Sequence, residues 1–128
     1  MSELAAAVPF AAKLGIEIAA AAPEEVRGSM PWAADHCTLD GVLHGGALMS
    51  FADTLGAVCA FLNLPEGTTT TTVESKTNFF RAVREGRVSG VARPLHAGRR
   101  FIVVQTDLFD GEERRVAQTT QTQAVLSS

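Results

Sequence analysis

The chain has 128 residues, 46% of them apolar and 20% charged, with a formal net charge of −3. That composition suits one domain with its own core; it is too apolar for a disordered chain and of the wrong sign for bulk nucleic-acid binding. Tyrosine is absent and tryptophan occurs once, a poor inventory for stacking on bases.

The start, "MSELAAAVPFAAKLG", carries Glu3 and no basic residue before its apolar stretch, so it does not read as a signal peptide and the expected location is the cytoplasm. Residues 3–13 read as a short helix with Leu4, Val8 and Ala12 on one side. Residues 14–21 and 25–32 are β-prone around "APEE" and predict a hairpin. The turn formers of "AADHCTLDGVLHGG" make a loop. A long helix follows over 46–62, ended where Pro65 cannot continue it. Strands are expected over Thr68–Asn78, Val88–Arg93, Phe101–Phe109 and Arg114–Leu126, with the "DG" at 110–111 as a turn. Antiparallel strands and one long helix make an α+β fold, the sheet covering the helix.

That helix is apolar nearly all round, through Leu48, Met49, Phe51, Leu55, Val58, Phe61 and Leu62. It falls short of the roughly 20 residues that span a bilayer and carries Asp53 in its middle. One small sheet covers one side of such a helix, so a second copy of the chain is expected against the rest. Asp53 has Met49, Ser50, Gly56 and Ala57 as same-face neighbours. Three of these are small and would let a ligand or another backbone approach. The plainer reading is a carboxylate satisfied by Ser50 or a nearby N–H, because a buried charge without partners costs several kcal/mol. At the helix start, "HGG" leaves unhindered backbone N–H groups at the positive end of the dipole, a cradle for a carbonyl oxygen that gains charge. Gly45 and Asp53 stand eight residues, about 12 Å, apart. If both serve one small reacting group, they must come from different subunits.

Residues 76–100 hold seven basic groups against one acidic, whereas residues 1–75 hold two against nine. The segment is either a solvated sheet face or a patch for a phosphorylated ligand. Cys37 and Cys59 lack metal spacing and read as small buried residues; His36 and His96 have no metal partners, so no metal site is expected.

"LHGGALMSFAD" followed by "TLGAV" closely resembles the hotdog-fold acyl-CoA thioesterases, in the branch typified by phenylacetate-pathway and hydroxybenzoyl-CoA thioesterases. The likeness extends to "TNFFRAVREG" at 77–86 and "AGRR" at 97–100. It implies a hotdog fold in which an antiparallel sheet wraps one long central helix. It also implies homodimers assembled into homotetramers, an acyl-CoA substrate with an aryl or medium-chain acyl group, and no cofactor beyond the coenzyme A of the substrate. Carried over, the Gly45 N–H polarises the thioester carbonyl, helped by Gly46. Asp53 of the partner is nucleophile or general base. His44 positions the loop. Thr38 stands where relatives carry Asn or Gln, and Thr72 falls at a hydroxyl position suited to orienting water. Met49 and Phe79 would line the acyl pocket, with core packing the expected task of Phe79 or Phe80. Arg81, Arg99 and Arg100 would meet the coenzyme A phosphates. A hotdog dehydratase fits less well, because His44 lies on the wrong side of Gly45. A non-catalytic acyl-CoA sensor would not need Asp53.

Overall fold

The computed structural model describes residues 7–127. Two helices, α1 (Pro9–Leu14) and α2 (Gly45–Leu62), accompany β1 (Glu17–Ala22), β2 (Glu25–Pro31), β3 (Thr68–Phe79), β4 (Arg87–Ala97), β5 (Phe101–Phe109) and β6 (Arg115–Ser127). The strands form one sheet in the order β1-β2-β4-β5-β6-β3, antiparallel throughout, with β1 and β3 at its edges. The sheet curls around α2.

Side chains at both ends fix α2. His44 stays extended, and its Nδ1 accepts the Gly46 N–H at 2.7 Å, so an imidazole performs the capping usually done by Ser or Asp. At the far end Asn63 Nδ2 donates to the carbonyls of Cys59 and Pro23, at 2.9 and 2.7 Å, which ties the helix to the β1–β2 turn. Leu48, Phe51, Ala52, Leu55, Gly56, Cys59 and Ala60 form the buried stripe, at the i, i+3, i+4 spacing of one helix face. Over 18 residues α2 is apolar enough to cross a bilayer by length and composition alone, with mean hydropathy 1.5. Here that stripe packs into the chain's own sheet. The opposite flank, with Met49, Asp53, Ala57 and Phe61, is only half-buried or exposed.

Contact between helix and sheet is closest at a pair of glycines. Gly28 and Gly90 are cross-strand partners on β2 and β4, and Leu55 rests its two methyls over them. A Cβ on Gly90 would lie 2.5 Å from Leu55 Cδ1 and 2.9 Å from Leu108 Cδ2. Side chains at either position would push α2 off the sheet.

Three expectations need correction. Among the described residues the first helix starts at Pro9, whose fixed φ suits a first helical position, so Ala11 and Leu14 are buried while Val8 and Ala12 are exposed; positions 3–6 of the expected helix lie outside the described residues. Leu4 lies outside the described residues. Strand β4 runs to Ala97 rather than Arg93, because a bulge between Pro94 and His96 lets the sheet absorb a residue without an N–H. Neither Phe79 nor Phe80 is core: they are 48% and 53% exposed.

Gly90→Ala is therefore expected to lower unfolding stability by about 1–3 kcal/mol in urea titration. Gly111→Ala, in a turn with nothing near its Cβ, should stay within about 0.5 kcal/mol of the parent.

Candidate active site

The concave face of the sheet changes chemistry across its width. Beneath the buried stripe of α2 it is apolar, with Val26, Met30, Val88, Ala92, Ile102, Val104 and Leu108. Under the half-open flank it turns polar: Thr119, Gln121 and Gln123 of β6 are all buried. Thr72, Ser75 and Thr77 of β3 stand opposite them in register. Thr77 and Thr119 satisfy each other at 2.7 Å. A bulge at Val73 keeps Thr72 on this face and turns Glu74 outward, where its carboxylate accepts from Thr122.

Asp53 lies over this polar floor. Its own helix does not satisfy it: Ser50 Oγ donates to Gly46 O and Thr54 Oγ1 to Ser50 O, each an i−4 bond. Instead Gln121 Nε2 donates to Asp53 Oδ1 at 3.4 Å, and the neighbouring Thr72 hydroxyl also favours the ionised carboxylate. Gln123 Nε2 donates to Thr72 Oγ1 at 2.7 Å. Burial raises the Asp53 pKa above the usual carboxylate range, and the bonds from Gln121 and Thr72 pull it partly back. The room expected beside Gly56 is already taken. A Cβ there would overlap the Gln121 amide oxygen, so this glycine admits a glutamine from the sheet rather than a ligand.

A second cluster surrounds the start of α2. Thr38, Gly45, Phe79 and Arg81 line a cleft of about 370 Å³. The Phe79 ring stands over Gly45, 3.2 Å from where a Cβ would sit. The Gly46 N–H is used by His44, and among the described residues no acceptor meets the Gly45 N–H. His44 thus holds the loop, with its own N–H on the His36 carbonyl. Met49 is half-buried one turn before Asp53 on the same flank.

The basic segment divides into two sets. Arg87 pairs with Glu17 at 2.8 Å, Arg93 with Glu25 at 2.7 Å, and Lys76 donates to Asn78. Among the described residues Arg81, Arg84, Arg99 and Arg100 enter no ion pair and are exposed. Arg81 borders the cleft, but Arg99 and Arg100 do not share it within one chain. Phe80 N–H bonds to Val116 O and Val125 N–H to Arg100 O; these anchor points on β6 are nine residues, about 30 Å of strand, apart.

Cys59 is buried and its thiol is pushed up to about 11, while half-buried Cys37 donates to Ala33 O. Among the described residues no three His, Cys, Asp or Glu side chains converge to hold a metal. Sequence reasoning missed Gln121 and Gln123. The signal that could have found them is Gly56: a glycine inside a helix costs about 1 kcal/mol against alanine, and something must occupy its missing side chain's place.

Comparison with known proteins identifies the family. The thioesterase superfamily profile matches residues 40–117. The chain is 38% identical to the 1,4-dihydroxy-2-naphthoyl-CoA hydrolase of Escherichia coli over 86 residues, 67% of this chain and 63% of that protein. It is 32% identical over 113 residues to the proofreading thioesterase EntH of Cronobacter turicensis, covering 88% of this chain and 82% of that one. The crystal structure of thioesterase HI1161 from Haemophilus influenzae superposes with a TM-score of 0.87 at 32% identity, covering 92% and 82% of the two chains. The helix with His-Gly-Gly at its start and a carboxylate two turns on, wrapped by this six-stranded sheet, belongs to a protein of the thioesterase superfamily.

Proposed function

We propose that the protein hydrolyses an aryl- or medium-chain acyl-CoA thioester to the free acid and coenzyme A, at a site shared by two copies of the chain. The observation that carries this reading is Asp53, an ionisable carboxylate held by two donors on the open flank of a helix, with burial raising its proton affinity. A carboxylate whose proton affinity is raised in this way is a better base than a free one.

The Gly45 N–H, free of any acceptor among the described residues, donates to the thioester carbonyl as it becomes an oxyanion. Asp53 of the partner attacks the carbonyl carbon directly or takes a proton from the water that does. The C–O bond forms first, giving a tetrahedral oxyanion that collapses with cleavage of the C–S bond and loss of the coenzyme A thiolate. On the direct route the resulting Asp53 anhydride is then hydrolysed by water to the free acid, and the proton released from water goes to the thiolate. Thr38 stands in the same cleft as Gly45, its hydroxyl free to position carbonyl or water. Thr72 orients Asp53. Phe79, half-exposed over Gly45, gives an aryl group a ring to lie against, and Met49 borders Asp53. Two features support the pairing of copies: the uncovered flank of α2, and the free edge of the twelve-residue strand β3. Antiparallel pairing of two β3 edges would carry Arg99 and Arg100 of one copy toward the Arg81 end of the other. Both ends then offer unpaired guanidinium groups to the coenzyme A phosphates. Pairs of such dimers would give a tetramer.

The direct test is thiol release from a panel of aryl- and fatty-acyl-CoAs. Turnover is expected with at least one, and Asp53→Asn should reduce kcat by two orders of magnitude or more. Gly45→Pro removes the proposed donor while keeping a residue favoured at a first helical turn, after a His44 already at φ −60, ψ 137. It is expected to lower kcat about 10²–10³-fold with the fold retained. Retained activity in both variants would overturn the assignment.

Asp53 also links activity to stability. Its raised pKa means that folding favours the protonated form, so the contribution is fully present below the ordinary carboxylate range and is lost as pH rises through the Asp53 pKa. Activity should rise with pH over the same interval in which Asp53 costs stability. Asp53→Asn is expected to melt higher than the parent at pH 7 and to lose that advantage in acid. Thermal melts across pH check this.

A further inference from the structure

We infer that Gln121 and Gln123, two glutamines buried side by side on the inner face of β6, are positioning residues that fix the Asp53 carboxylate and aim the Thr72 hydroxyl at it. The inference rests on the role proposed above for Asp53 and extends it to residues beyond the matched 40–117 segment.

Their burial calls for an explanation. Gln121 and Gln123 are 0% and 1% exposed, and their partners across β5 are Val104 and Ile102. Apolar side chains would fill these places without any polar group to satisfy. The direction of each bond supplies the reason. Thr70 Oγ1 shares its one proton between Gln123 Oε1 at 3.0 Å and Ala124 O at 2.9 Å, and the Gln123 amide oxygen faces Thr70 while its nitrogen faces Thr72. Gln123 Nε2 then donates to Thr72 Oγ1. A hydroxyl that accepts this bond has its own proton left to give, and Asp53 is near enough for that hydroxyl to favour its ionised form. Gln121 holds the other side of the site: its Nε2 faces Asp53 Oδ1, while its Oε1 is buried with no donor among the described residues. A half-turn of the same amide would present that orphaned oxygen to a protonated Asp53, so one side chain serves both states of a group that gains and loses a proton. Gly56 makes this possible, since any Cβ there would overlap the Gln121 amide.

No formal charge competes at this place among the described residues. Glu74 and Lys76 of β3 bond to Thr122 and Asn78 away from it, the inner face of β6 carries none, and the nearby titratable group of α2 is the Cys59 thiol, which faces Pro23.

The test is the pH dependence of Asp53 itself, read by carboxyl 13C titration of the intact protein with the Asp53→Asn spectrum as the assignment. The acid limb of kcat/KM with benzoyl-CoA as probe is the second readout. Both donors favour ionised Asp53, so removing one must raise its pKa. Gln121→Met is expected to move the titration up by about one pH unit, lowering kcat/KM about tenfold on the acid limb, and to recover at higher pH. Gln123→Met should move it the same way by less. Gln121→Leu, which removes the donor without adding a second titrating group, should move it the same way and decides the matter if the Met variant does not fold. Folded variants whose Asp53 titrates within about 0.2 units of the parent would overturn the inference. Asp53 titrating as expected in an enzyme indifferent to Asp53→Asn would instead overturn the proposed catalytic role.

Discussion

A rigid helix keeps Gly45 and Asp53 about 12 Å apart, and no rotation of side chains closes that gap. Hydrogen-bonded caps at both ends hold α2 to one length: His44 on the Gly46 N–H, and Asn63 on the Cys59 and Pro23 carbonyls. An oxyanion donor at its start and a carboxylate in its middle can meet over one thioester only if two antiparallel copies of the helix lie side by side. Under the proposed pairing, the uncovered flank of α2 and the unpaired edge of β3 are the faces that a second copy would cover.

The sheet answers two needs with two halves. Where α2 must be held firmly, the floor is apolar, and the Gly28–Gly90 pair lets Leu55 settle onto the backbone. Where Asp53 must remain ionisable, the floor is threonine and glutamine. An apolar floor would have pushed the Asp53 pKa higher still and kept it protonated; a cation would have pulled it down and made it a poor base. Here uncharged hydrogen-bond donors only partly offset the upward push of burial on the Asp53 pKa.

Much of this was legible in the sequence because the signals are local. The helix over 46–62 and the strand Phe101–Phe109 follow from apolar spacing and β-branched runs, and α2 begins only one residue earlier at Gly45. His44 was expected to bond backbone around the loop, and its Nδ1 takes the Gly46 N–H while its own N–H meets the His36 carbonyl. Other features were not legible, because they depend on which residue lies across a strand pair. "QTTQTQ" at 118–123 is polar on both faces, so alternation cannot show which glutamines point inward. The bulge at Val73, which decides where Thr72 points, leaves no mark in a β-branched run. The strand expected over Val88–Arg93 runs on past Pro94 to Ala97 through a bulge that its sequence does not announce. Phe79 and Phe80 have core-like side chains, yet their place beyond the start of α2 leaves them half-exposed over the cleft.

The central claim is that one site takes Gly45 from one chain and Asp53 from another. Mixing Gly45→Pro with Asp53→Asn, each inactive alone, tests it directly, with subunit exchange verified by differently tagged chains. An equal mixture that pairs at random is half heterodimer, and each heterodimer holds one intact site of two. The account predicts recovery of about a quarter of the parent's specific activity. Exchanged heterodimers that stay inactive would contradict it.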